Sequence, residues 1–411
     1  MHRVTARNAS SCASPEKTVV DSWQAVLLIA GLVAVALNQR PALVAVGPLT
    51  AQLRAETGMG ASATSLLTTL PLLCFGVFAL LAPVLGRRIG LDGTLAVALT
   101  VLTAGIALRL VSSVAALFVG SAVAGAGIAI SNVLLPGVIK RDFPDHTGLA
   151  MGMYSLLLNG GAALASGATV PLGTLLHTGW RTTLALWGLL AIAAMVFWVP
   201  RALRSQQVDN RTETRVPIRV WRSRLAWAVA GYMALQSLVY YALIAWLPTV
   251  LKDAGLSESR AGFMAAVMST FGIGASFVVP VIATKIDNQR PLVLVSAMAF
   301  LLGLAGLLAA PVAGVWAWMV LLGIGQGAGI GLALTLFVLR STTSSAAAQL
   351  SGMAQTVGYL VAATGPLTVG VLHDITRGWT LPVAALIAAL AALLTVGWVA
   401  AANRTVENDP R

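Results

Sequence analysis

Apolar residues along this chain neither alternate nor form a narrow stripe; they run in continuous blocks separated by short polar breaks. Twelve blocks fall at roughly 23–50, 61–85, 93–111, 114–139, 148–176, 181–200, 225–251, 260–283, 291–310, 315–339, 348–372 and 379–402. About 20 apolar residues in a helix are enough to cross the hydrocarbon core of a bilayer. The strands of a spanning β-barrel would instead alternate apolar and polar positions. The pattern therefore predicts an all-α membrane protein with twelve transmembrane helices, some of them tilted or curved because their blocks are long. The first 21 residues are polar and lack an apolar core, so they are not read as a signal peptide.

Composition supports this and removes other classes. Of the 411 residues, 58% are hydrophobic and only 10% charged, against about 25% charged in soluble domains. There is too little polar surface to face water, so the lipid bilayer is the expected surrounding. The 40 glycines suit helices that pack closely in a membrane. Cys12 and Cys74 imply no disulfide framework. A net charge of +12 in a soluble protein would suggest nucleic acid; in a membrane protein the placement of the charges matters more, and no nucleic-acid partner is expected. With the N-terminus placed inside, 19 Lys and Arg fall in inner segments and 6 in outer ones (Arg54, Arg109, Arg181, Lys252, Arg260 and Arg377), while Arg40 lies within a span. That asymmetry predicts that both termini are cytoplasmic.

The longest polar interruption, 201–224, is rich in arginine and divides the chain into six spans and six spans. The expected organisation is a tail at 1–22, a first half at 23–200, the basic linker at 201–224, a second half at 225–402 and a tail at 403–411. The halves resemble each other at an offset near 200: Gly125-Ala-Gly-Ile128 recurs as Gly327-Ala-Gly-Ile330, Gly152-Met153 as Gly352-Met353, and Phe75-Gly76 before Pro83 as Phe271-Gly272 before Pro280. Pro171-Leu172 ahead of His177 recurs as Pro366-Leu367 ahead of His373. Two pseudo-symmetric six-helix halves are the plan of the major facilitator fold, with a substrate site at mid-membrane between them.

Candidate chemistry is sparse. Every Asp and Glu lies in a tail, a loop or a span end, and Arg40 is the one base inside a span. Burying it costs about 2.5–3.5 kcal/mol on insertion scales. Pro41 and Gly47-Pro48 should bend or break the first helix beside it. Arg40 then either faces a cavity and binds an electron-rich group, or sits near a helix end and reaches the outer surface with 41–50 as loop. In the seventh span Gln236 and Tyr240 share one helix face, and Tyr240 falls where Arg40 falls in the repeat. Asn132, Asn159, Gln326, Gln355 and Tyr359 are the other polar groups in mid-span. Each of these side chains either contacts a substrate or bonds one helix to another. The glycines at 323, 325, 327, 329 and 331 suit close helix approach, since a phosphate loop would need a preceding strand. No metal-ligand cluster, catalytic motif or nucleotide loop is present in the sequence, so neither a cofactor nor a metal is expected, and a membrane-embedded enzyme or a primary pump has no support.

Several stretches carry a family resemblance. Asn38-Gln39-Arg40-Pro41 leads to Gly47-Pro48-Leu49; Leu135-Pro136-Gly137-Val138-Ile139-Lys140-Arg141 precedes Asp142-Phe143; Met151-Gly152-Met153-Tyr154-Ser155 and Ala245-Trp246-Leu247-Pro248 follow. Together they resemble the cyanate and 2-nitroimidazole transporter branch of the major facilitator superfamily over nearly all of 23–402. Gln236-Ser237 with Tyr240-Tyr241 leans toward the nitroimidazole members. Gly86-Arg87-Arg88-Ile89-Gly90 keeps the basic pair of the superfamily's loop signature but lacks the usual acid ahead of it. The resemblance implies secondary transport of a small polar or anionic solute by a monomer, with Arg40, Asn38 and the polar groups above as substrate contacts. An efflux carrier for an unrelated substrate is the alternative, and a membrane sensor the alternative from another class. With no carboxylate in mid-span, any proton coupling falls to His177 and His373 or to the substrate itself.

Overall fold

The computed structural model describes residues 22–205 and 220–409. Its described residues form helices α1 (Ser22–Asn38), α2 (Pro41–Val44), α3 (Thr50–Thr57), α4 (Ala61–Phe78), α5 (Leu81–Leu108), α6 (Val114–Asp142), α7 (Thr147–Leu175), α8 (Trp180–Leu186) and α9 (Gly188–Ser205), then α10 (Arg224–Asp253), α11 (Glu258–Ala283), α12 (Arg290–Ala309), α13 (Val315–Leu339), α14 (Ser344–Ala362), α15 (Thr364–Thr376) and α16 (Thr380–Ala400). Among the described residues, eleven stretches are long and apolar enough to cross a membrane. The twelfth crossing is α4 with the start of α5, because α5 turns sharply at Gly90 (φ 75°, ψ 167°), a conformation open essentially only to glycine. The expected linker lies largely at 206–219, outside the described residues.

Three further spans are interrupted at or near helix-breaking residues in the sequence. The first runs through α1, α2, a 3-10 turn at Gly47–Leu49 and α3. Pro41 and Pro48 lack the N–H that would continue the ladder, and the helix then resumes to Thr57, beyond the expected boundary at 50, because Thr50–Thr57 is polar but a competent helix former. The sixth is split into α8 and α9 at Trp187, and the eleventh into α14 and α15 at Ala363.

Repeat-related glycines bring the helices of each half together. A methyl group on Gly327 would lie 1.9 Å from the Gly272 carbonyl, and one on Gly125 would lie 3.1 Å from Cys74 Cβ. The crossings α11–α13 and α4–α6 are thus equivalent contacts of the two halves, held by packing that only small residues permit.

One face, the basic face, carries Arg87, Arg88, Lys140, Arg141, Arg201, Lys285, Arg290 and Arg340 at or near helix ends. On it Asp92, 3% exposed, accepts from Arg141 Nη2 at 2.8 Å and Arg201 Nε at 2.9 Å. Asp142 joins the same two arginines, so α5, α6 and α9 are tied in one cluster. In the second half, buried Arg340 donates to the carbonyls of Ala400 and Ala401, and Val406 N donates back to the Arg340 carbonyl at 2.8 Å. Glu407 accepts from Thr342 N and Oγ1, and Asp409 from Ser223 Oγ and Leu225 N.

The halves meet at this face. Lys140 Nζ donates to the Val338 carbonyl at 2.9 Å. Gly148 and Gly152 of α7 rest on Thr284 and Phe277 of α11, Gly137 of α6 on Ser344 and Ala348 of α14, and Gly352 of α14 on Ala79 and Pro83.

Candidate functional site

The break in α1 sets the site. Arg40, at φ −127° and ψ −35°, is the residue ahead of Pro41 and stands outside both helices. Its guanidinium is carried between the halves rather than out along a helix face. Nη1 donates to the Tyr241 hydroxyl on α10 at 3.0 Å. Residues 41–44 and 50–57 are helical, so the alternative of an exposed loop at 41–50 with a surface-reaching arginine is not what the structure has.

Arg40 lines a narrow pocket, of about 10 Å³, together with Asn159, Gln236, Ser237, Tyr240, Tyr241, Gln326, Ile330 and Tyr359. One cation meets three phenols and three carboxamides, and no carboxylate is in the lining. The Tyr240 and Tyr241 rings lie edge to face, centroids 5.1 Å apart. Asn159 Nδ2 donates to Ser276 Oγ at 3.3 Å across the halves. The Oε1 atoms of Gln236 and Gln326 are buried without a hydrogen-bond partner, so each amide retains unused bonding capacity beside the cavity. The arrangement offers a planar, fixed donor fork, aromatic walls and neutral amides. That suits a small planar solute with a delocalised acceptor group.

Beneath this lining, toward the basic face, Asn132 Nδ2 donates to Gln355 Oε1 at 2.8 Å and to the Tyr359 hydroxyl at 3.3 Å. Gln355 Nε2 returns a bond to the Asn132 carbonyl at 3.3 Å and another to Ser351 Oγ at 2.8 Å. Tyr154 donates to Asn132 Oδ1. This floor joins α6 and α7 of one half to α14 of the other.

Six of the nine expected contacts thus converge: Arg40, Asn159, Gln236, Tyr240, Gln326 and Tyr359. Asn132 and Gln355 form the floor. Asn38 does not take part: it is buried, and its Nδ2 is spent on the Ala34 carbonyl of its own helix at 2.7 Å. Sequence reasoning saw Tyr241 but not its role, since Tyr240 is the position aligned with Arg40; the helical twist puts the neighbouring phenol on the guanidinium. Tyr154 lies in the resemblance segment at 151–155 and Ile330 in the recurring Gly327–Ile330 segment, but neither position signalled a place at the site. His177 and His373 lie at the face opposite the basic one, outside the cavity lining. His177 borders a separate hollow with Gln52, Thr174 and Thr183, and His373 stacks on Trp379 at 4.0 Å.

Twelve spanning helices in two related halves, with a polar cavity between them, define a membrane transporter of the major facilitator class. The family model for the Major Facilitator Superfamily matches residues 28–366, and the chain belongs to that superfamily. It is 43% identical to the uncharacterized transporter YycB of Bacillus subtilis, over 93% of this chain and 95% of that one. It is 38% identical to the 2-nitroimidazole transporter of Escherichia coli, over 87% and 91% of the two chains. With the cyanate transport protein CynX of Escherichia coli it shares 32% identity over 85% and 90%, in keeping with the resemblance the motifs carry. Among solved structures, the proton:xylose symporter XylE bound to 6-bromo-6-deoxy-D-glucose superposes with a TM-score of 0.73 at 12% identity, covering 93% of this chain and 97% of that one. FucP in the outward conformation gives 0.65 at 14% identity, covering 92% and 97%. These two likenesses show the fold.

Proposed function

We propose that this transporter carries a small planar solute bearing an anionic or nitro-like acceptor group across a bacterial inner membrane by alternating access. The observation that carries the reading is Arg40, held between the halves with one phenol partner and no carboxylate in the lining. A part-buried cation without an acid needs an electron-rich partner, and a guanidinium can give an acceptor group two parallel hydrogen bonds. Two relatives whose names specify cyanate and 2-nitroimidazole support the class of solute. The excess of Lys and Arg makes the basic face cytoplasmic, with both termini on that side. The arrangement described is then the one closed to the cytoplasm.

The test is equilibrium binding of 2-nitroimidazole and of cyanate to purified, folded variants. Arg40→Lys keeps the charge but loses the fork, and Arg40→Ala removes both; each should insert normally and bind at least about tenfold more weakly, the worth of a hydrogen bond to a charged group. Tyr240→Phe should cost only about 0.5–1.5 kcal/mol. Near-normal affinity in Arg40→Ala overturns the assignment.

A further inference from the structure

Arg109 stands at the end of α5 on the face opposite the basic one, where the sequence places it among the loop charges. The structure puts it inside the protein, 1% exposed. Nη1 donates to the Ala42 carbonyl at 2.6 Å, while Nε and Nη2 have no hydrogen-bond partner. A guanidinium buried with two unpaired nitrogens is costly, so its one bond is informative. In an unbroken helix the Ala42 carbonyl would accept from Val46 N. Here Val46 N turns to the Leu43 carbonyl at 3.4 Å, while Ala45 N holds the Pro41 carbonyl. The break frees the Ala42 carbonyl, two residues from Arg40, and Arg109 takes it with a charge-assisted bond. Neighbouring glycines make room for the reach. A methyl on Gly120 would stand 3.0 Å from Arg109 Cγ and 2.7 Å from the Gly105 carbonyl, and one on Gly105 would meet Ala124 N at 2.3 Å.

We infer that Arg109 is a positioning residue: by holding the carbonyl of Ala42 it fixes the break in the first span and so aims Arg40 into the cavity. The inference rests on Arg40 being the substrate contact. Arg109 accepts an internal cost and returns it as geometry at a group it does not touch.

Arg109→Met removes both the charge and the donor, and Arg109→Lys restores a single cationic donor. The Met variant should melt at the same temperature as the parent or higher, because an unpaired buried charge is gone. It should nevertheless bind 2-nitroimidazole about tenfold more weakly, and amide hydrogen exchange should speed up in 39–50 while the remaining spans keep their protection. The Lys variant should recover affinity to within about threefold of the parent. The double variant Arg40→Lys, Arg109→Met should bind no more weakly than Arg40→Lys alone. Unchanged exchange at 39–50, additive losses in the double variant, or a fall in melting temperature that tracks the fall in affinity would each overturn the inference. If Arg40→Lys by itself leaves binding intact, or the probe does not bind the parent, the Arg40 reading fails separately. The exchange arm then decides alone whether Arg109 holds the break.

Discussion

Asn132→Ala should shift the balance between the two access states, and the structure gives the size of the shift. Asn132 sits on α6 and gives two side-chain hydrogen bonds, at 2.8 and 3.3 Å, to Gln355 and Tyr359 on α14. Opening the basic face requires α6 to part from α14, so both bonds exist in one state and not in the other. Interhelical hydrogen bonds in a membrane average about 0.6 kcal/mol, so losing two favours the open arrangement by about 1.2 kcal/mol, roughly an eightfold change in the equilibrium. The bond from Gln355 to the Asn132 carbonyl survives the substitution. The contact from Tyr154 lies within one half and cancels between states. Spin labels at Asp145 and Asp287, exposed on the basic face in opposite halves, would report the change as growth of the longer component in a dipolar distance distribution. A distribution identical to the parent's, or one shifted to shorter distances, would refute the assignment of this network as a bond between states.

Other outcomes follow from particular contacts. Gly327→Ala places a methyl 1.9 Å from the Gly272 carbonyl; forcing α11 from α13 should cost about 1–3 kcal/mol, read as a lower melting temperature in detergent, and a neutral result would mean the crossing is looser than described. For Asp409, burial alone would raise the carboxyl, but hydrogen bonds from Leu225 N, Ser223 Oγ and Arg224 N and the charge of Arg404 outweigh it and hold it below the usual range. A depressed folded value stabilises above about pH 3.9 and is lost as pH falls further, so Asp409→Asn should lose stability at neutral pH and lose its difference from the parent at strongly acidic pH. Single cysteines at Thr342 and Thr376, both exposed, should label from the cytoplasm and from the outside respectively; the reverse would invert the topology. If proton coupling uses the repeat-related histidines, the His177→Gln, His373→Gln double variant should flatten the pH profile of uptake, and an unchanged profile leaves the substrate's own protonation as the alternative.

The sequence by itself determined the parts of this protein that depend on solvent and on local chain chemistry. Block hydrophobicity dictates spanning helices because lipid offers the backbone no partners. The recurrence of Gly125-Ala-Gly-Ile128 as Gly327-Ala-Gly-Ile330 marks two related halves because the same small-residue crossing is built twice. Arg40 with Pro41 and Gly47-Pro48 marks a broken first span because proline cannot continue a helix. Tertiary structure alone decided what those groups touch. A side chain's partner depends on the rotation and tilt of helices far apart in sequence: Arg40 meets Tyr241 rather than Tyr240, separated by 201 positions, and Asn38 turns back to Ala34 although it adjoins the site. Asp92 looked like an ordinary loop acid until α6 and α9 brought two arginines to it. Arg109 counted as a loop charge because nothing in its neighbourhood along the chain signals the carbonyl freed by a break more than sixty residues earlier. Periodicity and composition are local, whereas a hydrogen bond between spans is fixed only when the helices have packed.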